Sequence, residues 1–217
     1  VRFGFETDTL DITGTEVART DIIPTESAVR DVIPKFIGCI TQTPPVFSAV
    51  HINGHRAYEL ARDGQTPEIP SRTVDIESLE LTGIEGDSWR FRMRCAPGTY
   101  VRSVARDIAH ACGTVATVDM IRRTQTSGWT IKNAHALDFL ENLFNNGGDV
   151  KKYLAPIDFG LGDIPVLNLD VKSAKLYRNG GFIEVVDTNG LYRIYSGGVF
   201  VGIGVVTGGV LKPKRTI

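Results

Sequence analysis

Two stretches of alternating polarity constrain this fold more than any other feature of the chain. Thr73 to Leu81 carries Val74, Ile76, Leu79 and Leu81, and Trp89 to Cys95 alternates through Trp89, Phe91, Met93 and Cys95. Gly83 to Gly86 supplies a turn between them. Successive strand side chains point to opposite faces, so this pattern predicts an antiparallel hairpin with one buried face.

The chain after the hairpin changes period. Pro97-Gly98-Thr99 turns into a predicted helix with Val101, Val104, Ala105, Ile108 and Cys112 on one face, ended by Gly113. Arg102 and Arg106, four residues apart, share a different face beside the hairpin. Upstream, Ile22 to Ile37 has helical spacing, with Thr25 as N-cap, Gly38 as stop and Pro34 as a distortion. Between these helices, residues 42–73 read as a long loop. It holds Thr43-Pro44-Pro45, an Asn53-Gly54 turn, a short helix Arg56 to Arg62, and breaks at Pro67 and Pro70. Loops of that length inside a domain usually serve function. Thr114 to Arg123 is expected to form another short helix, and Asn133 to cap a further one through Phe144.

Beyond Pro165 the character shifts again. A helix near Val171 to Arg178 precedes strand-like runs at Phe182 to Val186, Leu191 to Tyr195, Val199 to Val206 and Val210 to Lys212. Asn189-Gly190 and Gly208-Gly209 signal hairpin turns, and the glycines from Gly197 to Gly204 read as strand glycines, since no helix follows them. The expectation is a compact barrel. Together these signals predict an α+β chain with a mixed or antiparallel sheet in residues 1–158 and a small β-rich domain in 164–217.

Composition excludes several classes. Hydrophobic residues make up 42% and charged residues 23% of 217, as in soluble globular proteins. No apolar run approaches the roughly 20 residues a membrane span needs. Cys39, Cys95 and Cys112 are widely spaced and odd in number, and His51, His55, His110 and His135 form no metal motif. A reducing cytosol fits. The net charge is −1, yet Arg90, Arg92, Arg94, Arg102, Arg106, Arg122 and Arg123 fall within 34 residues. Two readings stand: a phosphate-binding footprint, or solvated charges paired with Asp75, Glu77, Glu80 and Asp87. Val1 to Phe5 reads as a strand already under way, which predicts that the chain opens inside an element.

Three blocks carry a resemblance. They are Thr43-Pro44-Pro45-Val46-Phe47-Ser48-Ala49-Val50 with Gly54-His55-Arg56-Ala57-Tyr58-Glu59-Leu60-Ala61-Arg62; Gly98-Thr99-Tyr100-Val101-Arg102-Ser103-Val104-Ala105-Arg106-Asp107; and Met120-Ile121-Arg122-Arg123-Thr124 followed by Ser127-Gly128. In this order, with the opening Arg2 to Asp11, they resemble the bacterial TruB family of tRNA pseudouridine synthases. The resemblance covers essentially the whole chain and extends to a PUA-like RNA-binding domain at its end.

The resemblance implies isomerisation of uridine 55 in the tRNA T-loop, by base flipping and an aspartate nucleophile. It implies no metal or organic cofactor, a cytoplasmic protein, the tRNA T-stem-loop as partner, no obligate protein partner, and a monomer at full length. Tyr100 matches a position whose ring lines the uracil pocket, Ile121 an apolar position packed on the base, and Arg102 the arginine paired with the nucleophile. Residues 42–73 match the loop that closes over RNA.

The departures are specific. The family nucleophile sits in a Gly-His-x-Gly-x-Leu-Asp-Pro segment, and these 217 residues contain none. Asp8 and Asp11 match non-catalytic positions, and Asp119 lacks the surrounding pattern. Phe47 stands where Tyr is common and His51 where Lys is common. The expectation is an N-terminally truncated, inactive polypeptide. A non-catalytic RNA-binding protein and a guide-RNA-dependent relative are the alternatives.

Overall fold

The computed structural model describes residues 1–217. It divides into two units, Val1–Arg122 and Arg123–Ile217.

In the first unit, β1 (Arg2–Phe3) and β2 (Phe5–Thr7) are separated by Gly4, whose φ of +99° lets the chain kink. β3 (Glu16–Arg19) folds back on β2. The helix α1 (Glu26–Val32) is capped by the Thr25 hydroxyl, which accepts from Ala28 N at 3.2 Å. It is shorter than the expected Ile22–Ile37. Pro34 offers no N–H, and the chain tightens into a 3₁₀ turn over Ile33–Phe36. β4 (Gly38–Gln42) follows. A miniature hairpin, β5 (His51–Ile52) and β6 (His55–Arg56), turns at Asn53 and Gly54, both with positive φ, and leads into α2 (Ala57–Arg62).

The predicted hairpin is present as β7 (Arg72–Glu85) and β8 (Ser88–Cys95). Its buried residues run Val74, Ile76, then Leu79, Leu81, a step of three where a strand requires two. A register shift between Ile76 and Ser78 absorbs the extra residue, so both pairs face the core. The helix α3 (Val101–Ala111) covers that face with Val104, Ile108 and Ala109, and α1 adds Val29 and Val32. β9 (Ala116–Thr117) completes an antiparallel sheet in the order β4-β7-β8-β1-β9. The helix expected over Thr114–Arg123 is therefore absent. Its β-branched residues Val115, Thr117 and Val118 suit a strand, and β1 offers an open ladder to pair with.

In the second unit, β10 (Gln125–Thr126) and β11 (Trp129–Thr130) form a hairpin around Ser127-Gly128. α4 (Leu137–Asn145) starts after Ala136; Asn133 instead ends a 3₁₀ turn, so it does not cap this helix. β12 (Val166–Asn168) is followed by α5 (Val171–Arg178), which Asp170 caps through Lys172 N and Ser173 N. β13 (Ile183–Glu184), β14 (Gly190–Ser196), β15 (Val199–Thr207) and β16 (Val210–Thr216) complete a sheet ordered β12-β14-β15-β16-β13.

Three expectations change here. The end strands β12 and β13 are not paired with each other, so the sheet is not closed into a barrel by hydrogen bonds. Asn189-Gly190 makes no hairpin, because β13 pairs with β16 and not with β14. Gly197-Gly198, read as strand glycines, are the turn between β14 and β15, with φ of +56° and +79°. Gly202 and Gly204 are strand glycines as expected, and their reason is steric. A Cβ on Gly202 would run into the Arg215 carbonyl oxygen and lie 3.0 Å from the Tyr177 hydroxyl, and one on Gly204 would run into Leu211 Cδ1 and lie 3.3 Å from the Tyr177 ring. Tyr177, on the buried face of α5, is fully buried, and burial pushes its hydroxyl up to about 12.

Candidate active site

Site geometry begins where β8 ends. Gly98, at φ +92°, turns the chain into α3, and Tyr100 is the residue before its first turn. Gln42, at the end of β4, is fully buried and holds Tyr100 by its main chain alone. Its Oε1 accepts from Tyr100 N at 2.8 Å, and its Nε2 donates to Tyr100 O at 3.2 Å. One turn further along α3, the Ser103 hydroxyl and Arg106 both donate to Thr43 O, at 2.9 and 3.1 Å. The root of the 42–73 excursion is thus pinned to α3, with Pro44 and Pro45 buried beside it.

Arg102 is the centre of this arrangement. Its Nη1 donates to Thr9 O at 2.6 Å and to Asp11 Oδ2 at 3.1 Å, and its Nη2 donates to Phe47 O at 3.0 Å. The Asp11 carboxyl sits below its usual range. Burial alone would raise it, but hydrogen bonds from Thr13 and Thr9, with the Arg102 charge, outweigh that effect. Leu10, between Thr9 and Asp11, adopts φ +62°, a region a side chain rarely occupies. Its buried side chain and its main-chain bonds to Thr7 and Val118 hold it there. Such strain, held by surrounding structure, marks functional sites.

The structure brings Tyr100 and Arg102 together at the start of α3. Ile121 lies on irregular chain after β9, half exposed and outside the core cluster. Of the arginines, Arg94 pairs with Glu77, one of the acids the ion-pair reading named, and Arg90 pairs with Glu85, which that reading did not include. Arg92 lies opposite Glu80 without an ion pair, and Arg122 and Arg123 are exposed. Asp119 is occupied elsewhere, accepting from Ser88 Oγ at 2.8 Å, Val1 N at 2.9 Å and Arg2 Nε at 3.4 Å. Asp8 accepts from Thr15 N at 2.8 Å within its own turn.

Sequence reasoning missed Asp11, Gln42 and Arg72. Arg72 opens β7, pairs in register with Gln42, and places its guanidinium 4.8 Å from the Tyr100 ring centroid. A signal existed for Asp11 in the Thr-Asp-Thr-Leu-Asp run after β2; none existed for Gln42.

The last part of the second unit, residues 165–217, carries its charge differently. Residues 165–217 hold seven Lys and Arg against three Asp and Glu, while residues 1–164 hold seventeen against twenty-two. Arg193 is bonded to Asp158 at 2.9 Å, but Lys172, Lys175, Arg178, Lys212, Lys214 and Arg215 have no acidic partner. Arg178, Lys214 and Arg215 line one open cleft beside Pro213, between the end of α5 and β16.

Residues 1–101 match the family model for the TruB family pseudouridylate synthase N-terminal domain, and residues 165–217 match that for the pseudouridine synthase II TruB C-terminal domain. The chain is 41% identical over 221 residues to tRNA pseudouridine synthase B of Novosphingobium aromaticivorans, covering 99% of this chain and 72% of that protein. Its identity to the same-named protein of Aromatoleum aromaticum is 37%, over 100% of this chain and 70% of that one. Among solved structures it is similar to a chain of a Cbf5-Nop10-Gar1 complex, with a TM-score of 0.67 and 20% identity. That match covers 91% of this chain and 63% of the other. A chain of an H/ACA RNP bound to a substrate RNA containing 2'-deoxyuridine gives a TM-score of 0.64 at 18% identity, over 88% and 61%. The chain thus spans under two thirds of the length of these structural relatives.

Proposed function

The chain belongs to the TruB family of pseudouridine synthases, and from that premise we propose that it carries the substrate pocket and RNA-binding surface of a tRNA uridine-55 isomerase. The observation that carries this reading is the setting of Arg102. A guanidinium has five N–H donors, and three hydrogen bonds are made here. The remaining donors provide a fork for one more carboxylate, kept ionised by that contact. Asp11 and Thr9 fix the orientation of the fork and Phe47 O ties it to the loop root, so Arg102 is pre-positioned for its partner.

In the reaction proposed, the flipped uridine enters beside Tyr100, whose ring stacks on the base, with Ile121 packing on it once RNA is bound. The C1′–N1 bond breaks, the uracil rotates, and a C1′–C5 bond forms. The proton lost from C5 balances the one gained at N1. The nucleophilic aspartate belongs to the Gly-His-x-Gly-x-Leu-Asp-Pro segment, which these 217 residues do not contain. Asp8 and Asp119 are committed to bonds that hold the fold and Asp11 to Arg102, so none of them replaces it.

Residues 42–73 close over the T-stem-loop, and the unpaired basic side chains of residues 164–217 meet RNA phosphates. No cofactor, obligate protein partner or second copy is required in this reading, and the location is the cytoplasm. No helix is long and apolar enough to cross a membrane. The test is incubation of the purified 217-residue chain with tRNA, with binding and pseudouridine content measured together. Binding without conversion is expected, and conversion is expected once a polypeptide bearing the aspartate segment is supplied. Pseudouridine formed by the chain alone would overturn the assignment of the missing nucleophile.

A further inference from the structure

Tyr100 is held from two sides by a cross-strand pair. Gln42 and Arg72 are register partners at the end of the β4–β7 ladder. Gln42 grips the Tyr100 main chain, while Arg72 donates through Nη2 to Gly98 O and lays its guanidinium over the Tyr100 ring. The Arg72 Nε is buried and has no hydrogen-bond partner. A buried donor left unpaired is costly, and contact of the cation with an aromatic face offsets part of that cost. Gly98, whose carbonyl accepts the Arg72 bond, is glycine because of its φ of +92°, a conformation side chains rarely adopt.

We propose that Arg72 is a positioning residue for the uracil pocket: it occupies one face of the Tyr100 ring and presents the other to the flipped base. This rests on the reading of Tyr100 as the pocket aromatic. With one face filled, the ring cannot swing toward the β4–β7 ladder, and the base completes a three-layer stack of guanidinium, phenol and uracil. Planar guanidinium suits such stacking better than a compact ammonium.

The experiment uses the 217-residue chain and two T-stem-loop hairpins, identical except that one has an abasic ribose at the target position. The ratio of their affinities isolates the base pocket from phosphate contacts. Y100A should reduce the ratio about tenfold, the scale of one base–aromatic stack. R72M should reduce it about threefold through the uracil hairpin alone, the scale of one partly desolvated cation–π contact, leaving the abasic hairpin unchanged. Equal weakening of both hairpins would make Arg72 a phosphate contact and overturn the proposal. So would an unchanged ratio in R72M when Y100A lowers it. If Y100A leaves the ratio unchanged, or the parent chain does not distinguish the hairpins, the reading of Tyr100 fails and the proposal with it. The stack itself is checked without RNA: the Tyr100 ring resonances should shift in R72M, and fixed resonances would also overturn it.

Discussion

The start of α3 in the first unit and residues 165–217 in the second handle charged side chains in opposite ways. Around the start of α3, Arg102, Arg106 and Asp11 are each bonded to neighbours from other parts of the chain. In residues 165–217, six of seven basic side chains have no acidic partner. A charge that must keep one orientation for chemistry has to be held by its own protein. A charge that meets a polyanion gains by staying free, because each phosphate it neutralises releases condensed counterions. Bound and unbound basic side chains are thus signs of two tasks.

That contrast is open to attack by mutation. The largest effect is expected at Gln42→Leu, which leaves the Tyr100 N–H without a partner and its C=O with the Val104 N–H alone; at about 1–3 kcal/mol for an orphaned buried group, a loss of about 2–3 kcal/mol in urea denaturation of the first unit is expected. Next comes Arg102→Met, which strips donors from Asp11, Thr9 O and Phe47 O. Since the Arg102–Asp11 pair is partly solvated, about 1–2 kcal/mol is expected, read in the same way. The paired change Lys214→Ala with Arg215→Ala should leave stability within about 0.5 kcal/mol. It should instead lower the slope of log affinity for tRNA against log salt by about 0.9 for each phosphate no longer neutralised. A destabilised double variant with an unaltered salt slope would abolish the contrast.

Acid sharpens it further. Asp11 in the first unit and Asp158 in the second both titrate below the ordinary 3.8, the first through Thr13, Thr9 and Arg102, the second through Tyr195 and Arg193. A depressed carboxyl contributes stability that is fully present above its unfolded value and is lost as pH falls through its folded one. Urea midpoints should therefore be flat down to about pH 4 and fall below it. In the first unit Asp119, which burial alone would raise but hydrogen bonds from Val1 N, Ser88 and Arg2 hold at about 2, drives most of that fall. Asp11→Asn should lessen it only in part, with no change in the second unit. The smallest effect is expected at Arg90→Ala and Arg94→Ala, whose exposed ion pairs contribute less than about 0.5 kcal/mol each.

Much of the fold was legible because it obeys short periods. The β7–β8 hairpin and α3 were visible as periods of two and of 3.6, and even the irregular step from Ile76 to Leu79 was present in the residues. Residues 114–123 misled because a strand of two residues is too short to show alternation; its pairing with β1 is decided by tertiary structure. Asn189-Gly190 carried a turn signal, but β13 found its partner in β16 instead of the next strand. The site divides similarly. Tyr100 and Arg102 lie in one contiguous block. Asp11 is 91 residues from Arg102 and Gln42 is 58 from Tyr100, so those bonds exist only once the sheet has formed.

Gln42 touches Tyr100 through its amide N–H and carbonyl and through nothing else that bears on side-chain identity. The pattern is that of a neighbouring strand, performed by one side chain. Such a grip is blind to what residue 100 is: it fixes a place and leaves the occupant open. A lineage could therefore exchange the ring at that place, for another aromatic or for something smaller, without rebuilding the scaffold that aims it. Pocket chemistry and main-chain geometry would then drift under separate constraints, with Gln42 answerable for where the backbone of residue 100 sits.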